Sequence, residues 1–220
     1  MSMSWKDMLA AFTRDFGSTV PLPRDIIFPP QPAPKFTPSE AEGPEPVSTI
    51  STIEIKDMTN KLRKNPRVKW SDFNQPRQLS KIKFLVVHHT ADNINDIHRL
   101  NEIEINGTRI YKYGCPTIPY HYWINEDAQI HKCNNLSDIT WHAKNANPVS
   151  VGIALVGNYE KQKPSAAALK SLEFLLNELL GNLKLPVTKV FGHRELTMYG
   201  NSTACPGRFL FPFVQEFRRG

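Results

Sequence analysis

Two histidines and one cysteine are the residues of this chain best suited to bind a metal ion. His88 lies at the end of the apolar run 84–88, His193 stands in a Gly-His-Arg-Glu segment, and Cys205 follows twelve residues after His193. Two imidazoles and one thiolate form a three-ligand set, which together with an open fourth position is the pattern of catalytic zinc. If the three residues converge in space, the sequence predicts one Zn²⁺ ion and hydrolytic chemistry.

Each member of this set also has a purely structural interpretation. A His-His pair at a strand end, as at His88-His89, is often buried and hydrogen-bonded, and a histidine such as His193 can cap a strand. The Cys-Pro-Gly segment at Cys205 can be a turn that contains a small apolar side chain. The combination is more specific, because each residue stands where a predicted strand gives way to a loop, and active sites of α/β sheets collect at such ends.

The elements that must position these residues begin at Lys81. Hydrophobic periodicity predicts strands over residues 82–88, 120–125, 129–132, 149–157 and 187–193, and helices over 94–105, 164–181 and 209–217. Strands that alternate with helices indicate an α/β fold with a central β-sheet flanked by helices on both faces. The turn at 125–128 joins two strands as a hairpin, which makes the predicted sheet mixed rather than purely parallel.

The first 80 residues have a different composition. Eleven of the 18 prolines precede residue 80, and most lie between 21 and 46. Proline fixes φ and removes a donor, so residues 1–80 are predicted to be an extended Pro-rich N-terminal arm. Helical spacing predicts a short helix over 4–16 and a weaker one over 53–64. Two interpretations stay open: the arm is a tail, or it anchors the domain over residues 81–220 to a partner chain or a large assembly such as a virion.

Composition excludes several classes of partner. The 220 residues carry a formal charge of +6 with acids and bases interspersed, without the basic and aromatic runs that follow a nucleic-acid backbone, so no nucleic-acid partner is expected. No apolar run approaches a membrane span. The N-terminus lacks a secretory signal pattern, which predicts synthesis in a reducing cytoplasm. Three cysteines do not make a disulfide framework; Cys115 and Cys133 either pair or stay reduced, and the reduced state is favoured.

Six short segments occur in an order that is typical of one family. They are Val-Val-His-His-Thr at 86–90, Tyr-His-Tyr-Trp-Ile at 120–124, Trp-His-Ala-Lys-Asn-Ala-Asn at 141–147, Ser-Val-Gly-Ile-Ala-Leu-Val-Gly at 150–157, Gly-His-Arg-Glu at 192–195 and Thr-Ala-Cys-Pro-Gly at 203–207. Through these segments the chain from about Lys81 onward resembles the zinc N-acetylmuramoyl-L-alanine amidases. That group includes phage amidase endolysins and the catalytic peptidoglycan recognition proteins.

The resemblance implies a role for each matched residue. The zinc ligands fall on His88, His193 and Cys205, with His89 as a neighbour, and the catalytic tyrosine falls on Tyr120. Thr203 takes the position of a second transition-state stabiliser, where many phage enzymes have lysine. The segment that lines the substrate groove supplies the candidate binding residues Trp141, His142, Asn145 and Asn147.

The resemblance also implies the reaction. Zinc-activated water would cleave the amide bond between N-acetylmuramic acid and L-alanine in bacterial peptidoglycan, as in a phage-borne lysin that acts on the bacterial cell wall. The proton for the leaving amine has three candidate sources: Tyr120, a zinc-bound water and His142. Two other functions stay open, a non-catalytic peptidoglycan-binding module and a structural component of a virion or secretion assembly. Binding-only relatives usually lack the cysteine ligand, so Cys205 favours catalysis.

Overall fold

The computed structural model describes residues 53–68, 76–107 and 112–220. The predicted helix over residues 4–16 and the Pro-rich stretch that follows it lie outside these ranges. The described residues form strands β1 Ile55–Asp57, β2 Phe84–His89, β3 Tyr122–Ile124, β4 Ile130–Lys132, β5 Ser150–Leu155 and β6 Val190–Gly192, and helices α1 Ile97–Asn106, α2 Ala166–Leu183 and α3 Phe211–Phe217. Short 3₁₀ helices include Lys144–Val149 and His193–Glu195.

The six strands form one sheet in the order β1-β4-β3-β5-β2-β6. Only β3 and β4, the predicted hairpin, run antiparallel among the described pairs. The pairs β1–β4, β3–β5, β2–β5 and β2–β6 are parallel. The predicted mixed sheet is therefore confirmed, and its centre is the long parallel pair of β2 and β5.

Side chains of β2 alternate between two hydrophobic clusters. Leu85 and Val87 pack in the cluster that contains the leucine face of α2 and Val214 of α3. Phe84 and Val86 point to the other face, where they pack with Ala143 and Ala146. Further along that second face, Trp123 of β3 and Leu100 of α1 share a third cluster. Helices thus cover both faces of the sheet, as predicted, and the residue after Val87 belongs to the face opposite α2.

The helix ends follow ordinary capping chemistry. Asp96 accepts the backbone N–H of Arg99 at the start of α1, and Ser165 accepts that of Ala168 at the start of α2. α2 continues past its predicted end at 181 to Leu183, which packs against the core cluster of this helix. The left-handed Lys184 at φ +53° then ends the helix, and its backbone N–H donates to the carbonyls of Leu180 and Gly181.

The chain joins this fold earlier than the sequence predicted. The helix expected over residues 53–64 is wrong: Ile55–Asp57 is the edge strand β1, and Ile55 is opposite Ile130 of β4. Leu62 is buried in the core cluster of α1. The compact unit accordingly begins at Ile53 rather than at Lys81. A three-residue strand has too little periodicity to show in the sequence, and its partner lies far along the chain.

Two further expectations concern cysteines and membranes. Cys115, Cys133 and Cys205 are all buried, and Sγ of Cys115 lies 3.9 Å from Oε2 of Glu104 while Sγ of Cys133 lies 3.6 Å from the carbonyl oxygen of His131. No helix in the ranges that the structure describes is both long enough and apolar enough to cross a membrane.

Candidate metal centre and its surroundings

Strand register brings His88 and His193 together. β2 and β6 are parallel with Val87 opposite Gly192, so the residues that follow, His88 within β2 and His193 just after β6, lie near the same end of the sheet and on the same face. The two imidazole centroids are 4.5 Å apart. His89 points to the opposite face, where its Nδ1 accepts the backbone N–H of Tyr159 at 3.1 Å. The first histidine of the pair therefore faces His193.

A loop held by backbone contacts brings Cys205 to the same place. Arg194 fixes this loop, because its N–H donates to the carbonyl of Cys205 at 2.7 Å and its Nε donates to that of Ala204 at 3.1 Å. Gly207 follows at φ +96°, where a Cβ would approach the carbonyl carbon of Tyr159 to 2.4 Å, so only glycine fits. The thiol Sγ lies 3.6 Å from Nδ1 of His88.

These distances fit a metal ion. One ligand atom from each of His88, His193 and Cys205 lies within 4.8 Å of the other two. Zn–S and Zn–N bonds of about 2.3 Å and 2.0 Å at a tetrahedral angle place the two ligand atoms about 3.5 Å apart. The separation of 3.6 Å between Sγ and Nδ1 of His88 agrees with that geometry. The backbone N–H of His89 also donates to Sγ at 3.4 Å, which favours a thiolate.

The electrostatics keep both histidines in the neutral form that binds metals. Burial lowers the pKa of His88 well below its usual value, and the neighbouring His193 and His142 lower it further. Burial also lowers the pKa of His193, although its hydrogen bond to Asn201 acts in the opposite direction. A neutral imidazole keeps one nitrogen lone pair for a metal ion.

The two predicted catalytic residues border this cluster. Tyr120 is buried two residues before the start of β3, and its ring centroid lies 5.3 Å from that of His88. Thr203 is exposed on the loop of Cys205, and its Oγ1 accepts the N–H of Cys205 at 3.1 Å. The hydroxyl oxygen of Thr203 is thereby used as an acceptor, which leaves its proton for donation.

His142 lies in the protein interior beside His88. Its side chain is buried, with Nδ1 at 3.0 Å from Nε2 of His88 and Nε2 at 3.2 Å from Oγ of Ser150. His142 therefore contacts the side of His88 opposite the one that faces Cys205. Both ring nitrogens of His142 are therefore within hydrogen-bond distance of other side chains of the protein.

The other predicted binding residues are spread over different environments. Asn147 is engaged locally, because its Oδ1 accepts the N–H of Ala143 at 2.6 Å. Asn145 is exposed, and Trp141 is half-buried. Trp141 lines a small cavity together with residues 115–119, Asn134 and residues 138–140. Trp141 and Asn145 are thus the two of the four whose position allows contact with a ligand.

Sequence reasoning gave no role to a buried pair that supports this region. His121 is fully buried, and its Nδ1 accepts the N–H of Gly152 at 3.0 Å. Nη2 of Arg77 lies 3.0 Å from Nε2 of His121, while Nη1 donates to the carbonyls of Asn147 and Ser150 at 2.9 and 2.7 Å. Burial and the charge of Arg77 lower the pKa of His121 to about 3.

Ser150 and Asn201 were also missed as functional residues. Both are buried, and each holds one histidine of the cluster: Ser150 through His142, and Asn201 directly through its Oδ1 at 2.9 Å from Nε2 of His193. Their positions inside or beside the matched segments were the only sequence signal. A short polar residue gives no indication of its partner when that partner is distant in the chain.

The fold and the cluster define an α/β protein with a candidate metal centre where two neighbouring parallel strands end. The family model described as N-acetylmuramoyl-L-alanine amidase matches residues 78–208. The chain therefore belongs to the N-acetylmuramoyl-L-alanine amidase family. Peptidoglycan-recognition protein SD of Drosophila simulans is 32% identical over 138 residues, which cover 60% of this chain and 71% of that protein. Peptidoglycan recognition protein 1 of Bos taurus is 26% identical over 142 residues, which cover 62% and 72%.

Solved structures with the same fold come from both branches of this family. N-acetylmuramoyl-L-alanine amidase LysC from Clostridium intestinale URNW superposes with a TM-score of 0.57 at 24% identity, covering 76% of this chain and 97% of that one. The Ph2119 endolysin of a Thermus scotoductus bacteriophage gives 0.59 at 24% identity, covering 75% and 99%. Drosophila peptidoglycan recognition protein SD gives 0.60 at 22% identity, covering 75% and 95%.

Proposed function

We propose that this chain is a zinc-dependent N-acetylmuramoyl-L-alanine amidase that cleaves the amide bond between N-acetylmuramic acid and L-alanine in peptidoglycan. The observation that carries the proposal is the convergence of His88, His193 and Cys205, whose ligand atoms lie within 4.8 Å of one another. Membership of the amidase family supports this choice of reaction. The cysteine matters most, because relatives that bind peptidoglycan without cleaving it usually lack it.

The proposed centre combines one metal ion with two side chains of the chain itself. When bound, zinc supplies a Lewis acid that yields a water nucleophile near neutral pH and polarises the scissile carbonyl. Tyr120, whose ring stands 5.3 Å from that of His88, is the proposed hydrogen-bond donor to the oxygen of that carbonyl as negative charge develops. Thr203 is the second donor, oriented by the N–H of Cys205 that its oxygen accepts.

The leaving amine needs a proton, and the position of His142 argues against this residue as the donor. Its Nδ1 and Nε2 are directed at His88 and Ser150, so it is poorly placed to transfer a proton to substrate. Tyr120 is therefore the side chain proposed to donate this proton. Trp141, at the edge of the cavity formed with residues 115–119, is the proposed contact for a sugar or peptide group, since an indole stacks on both.

The reaction is tested by digesting purified peptidoglycan and analysing the ends that are released. Metal-loaded wild type is expected to release new N-terminal alanine, whereas Cys205→Ser and chelator-treated wild type are not. Cys133→Ser is the matched control, because this thiol is also buried but is not one of the three clustered ligand residues. New reducing sugar ends would contradict an amidase, and tight binding to peptidoglycan without any cleavage would support a binding module instead.

The Pro-rich N-terminal segment motivates a second part of the proposal. We propose that the enzyme is a phage-borne lysin that acts on the bacterial cell wall, and that residues 1–52 anchor it to a virion or another assembly. The support is compositional, since nine of the 18 prolines of the chain lie between residues 21 and 46. Deleting residues 1–52 should abolish incorporation into particles while peptidoglycan digestion continues. Unchanged incorporation would exclude an anchoring role.

A further inference from the structure

A chain of hydrogen bonds runs from Ser150 through His142 to His88. The hydroxyl of Ser150 donates to the carbonyl of Ala146 at 2.7 Å, so its proton is used there. Its oxygen lies 3.2 Å from Nε2 of His142 and must accept from it, which places the proton of the neutral His142 ring on Nε2. Nδ1 of His142 is then an acceptor.

The acceptor nitrogen of His142 determines which nitrogen of His88 carries the proton. Its Nε2 lies 3.0 Å from the acceptor Nδ1 of His142 and must therefore carry a hydrogen. In a neutral imidazole the other nitrogen, Nδ1, then keeps its lone pair. Nδ1 is the atom that lies 3.6 Å from Sγ of Cys205. The proton of His88 is thus located on the side away from the proposed ion.

An independent contact, with Asn201, determines which nitrogen of His193 carries the proton. Nδ2 of Asn201 donates to the carbonyls of Ala143 and Leu196 at 3.2 and 3.3 Å, which orients the amide. Oδ1 of Asn201 therefore faces Nε2 of His193 at 2.9 Å and accepts its hydrogen. The lone pair of His193 is consequently on Nδ1, as it is in His88.

Both contacts depend on one short segment. Ala146, which orients Ser150, belongs to the 3₁₀ helix Lys144–Val149, and Ala143, which orients Asn201, is the residue just before it. Asn147 closes this segment by accepting the N–H of Ala143. Ala143 and Ala146 are both buried against β2. The backbone of residues 143–150 is therefore a common support for the two histidines.

We propose that His142, Ser150 and Asn201 are positioning residues that hold His88 and His193 in the Nε2–H tautomer, so that both present Nδ1 to the metal ion. The inference rests on the metal site proposed above and adds which residues prepare it. A histidine ligand binds through one nitrogen, and the hydrogen bond at its other nitrogen fixes the tautomer and the ring orientation. Losing such a partner typically weakens metal affinity about 10- to 100-fold.

Zinc affinity is the first test, measured by competition with a chromophoric chelator and without substrate. Ser150→Ala and Asn201→Ala should each raise the zinc dissociation constant about 10- to 100-fold. Ser171→Ala and Asn101→Ala are the matched controls. Both side chains are buried and bond to backbone groups elsewhere, Ser171 to the carbonyl of Ala128 and Asn101 to that of Arg63, so their zinc affinity should equal that of wild type.

A pair of substitutions at His142 separates positioning from packing. Asn places Oδ1 where the imidazole has Nδ1, so His142→Asn keeps an acceptor for His88. His142→Leu fills similar space without an acceptor. His142→Asn should therefore retain more zinc affinity than His142→Leu, and the cobalt-substituted proteins should show the same order in their thiolate-to-metal absorption. Equal loss in both variants would contradict the proposal.

The tautomers can be observed directly in the metal-free wild-type protein, so the test does not depend on any variant folding. Long-range ¹H–¹⁵N correlation spectra should show His88, His142 and His193 each protonated at Nε2. Protonation of His88 or His193 at Nδ1 would overturn the proposal, as would unchanged zinc affinity in both Ser150→Ala and Asn201→Ala. Failure of the wild type to bind zinc would instead contradict the proposed function.

Discussion

The imidazole of His142 packs directly on the backbone of Gly152, so closely that a Cβ at Gly152 would lie 2.5 Å from Cγ of the histidine. Gly152 is in the middle of β5, paired with Val86 of β2. The absence of a side chain there lets the ring approach the backbone of β5 and reach His88 on the neighbouring strand at 3.0 Å. A glycine in a central strand thus sets the position of a residue that contacts the candidate metal centre.

Gly152→Ala should displace the ring of His142. Overpacking of this kind costs about 1–3 kcal/mol of stability, and zinc affinity should fall because the contact with His88 is lost. Denaturant unfolding and chelator competition measure the two effects. Gly181→Ala is the matched control, since a Cβ at Gly181 meets nothing within 4 Å and alanine favours a helix. Wild-type stability and affinity in Gly152→Ala would show that the strand tolerates the ring in another position.

Tyr120→Phe tests the proposed hydrogen-bond donor. Loss of one oxyanion donor should lower kcat about 10²- to 10³-fold. Zinc affinity should stay unchanged, because Tyr120 is not one of the three clustered ligand residues. Release of N-terminal alanine from peptidoglycan provides the rate.

Tyr122→Phe provides the comparison for that substitution. Tyr122 is also a buried tyrosine, but its side chain belongs to the cluster of α2 on the opposite face of the sheet. It should retain the wild-type rate. Equal rates in Tyr120→Phe and Tyr122→Phe would remove Tyr120 from the catalytic centre.

Two truncations test where the folded unit begins. A chain that starts at Lys81 loses β1, the buried Leu62 and the guanidinium of Arg77, which donates to the carbonyls of Leu136, Asn147 and Ser150. Each buried carbonyl left without a donor costs about 1–3 kcal/mol. A chain that starts at Ile53 keeps all of these contacts. Its free energy of unfolding in urea should exceed that of the shorter chain by several kcal/mol, and equal values would contradict the structural boundary.

Stability should fall below neutral pH because of His121. Its pKa is about 3 in the folded chain, against 6.5 for the ordinary residue, since burial and Arg77 disfavour the charged ring. Below about pH 6.5 the unfolded chain binds a proton that the folded chain does not, so this contribution is complete above that pH and is lost as pH falls. At about pH 5 the loss from His121 alone is about 2 kcal/mol.

Urea unfolding of the zinc-free protein at several pH values measures how steeply the free energy of unfolding declines as pH falls. His121→Asn, which retains an acceptor for the N–H of Gly152, should show a shallower decline than wild type. His98→Asn, which removes an exposed histidine of α1, serves as the comparison. Identical slopes for all three proteins would mean that His121 does not resist protonation.

Much of the fold was predictable because its signals are local. Alternation along β2 indicated that His88 and His89 face opposite ways, and the leucine spacing indicated the buried face of α2. The predicted ends of strands were less accurate where the backbone changes from strand pairing to 3₁₀ hydrogen bonding within a few residues. The strand predicted over 187–193 is reduced to Val190–Gly192, because Val187–Lys189 and His193–Glu195 form 3₁₀ turns. Glu195 stabilises the second turn by accepting the N–H of Gly192 at 2.7 Å.

The sequence by itself determined which residue types could bind a metal ion, that the two histidines stand at strand ends, and the family that shares their order. Only the tertiary structure decided that Nδ1 of His142 lies beside Nε2 of His88, that Nδ1 of His88 faces Cys205, and that Arg77 belongs to the folded unit. The physical reason is that these features are contacts between residues 54, 117 and 73 positions apart. Hydrogen-bond direction at an imidazole depends on such partners, and no local pattern encodes them.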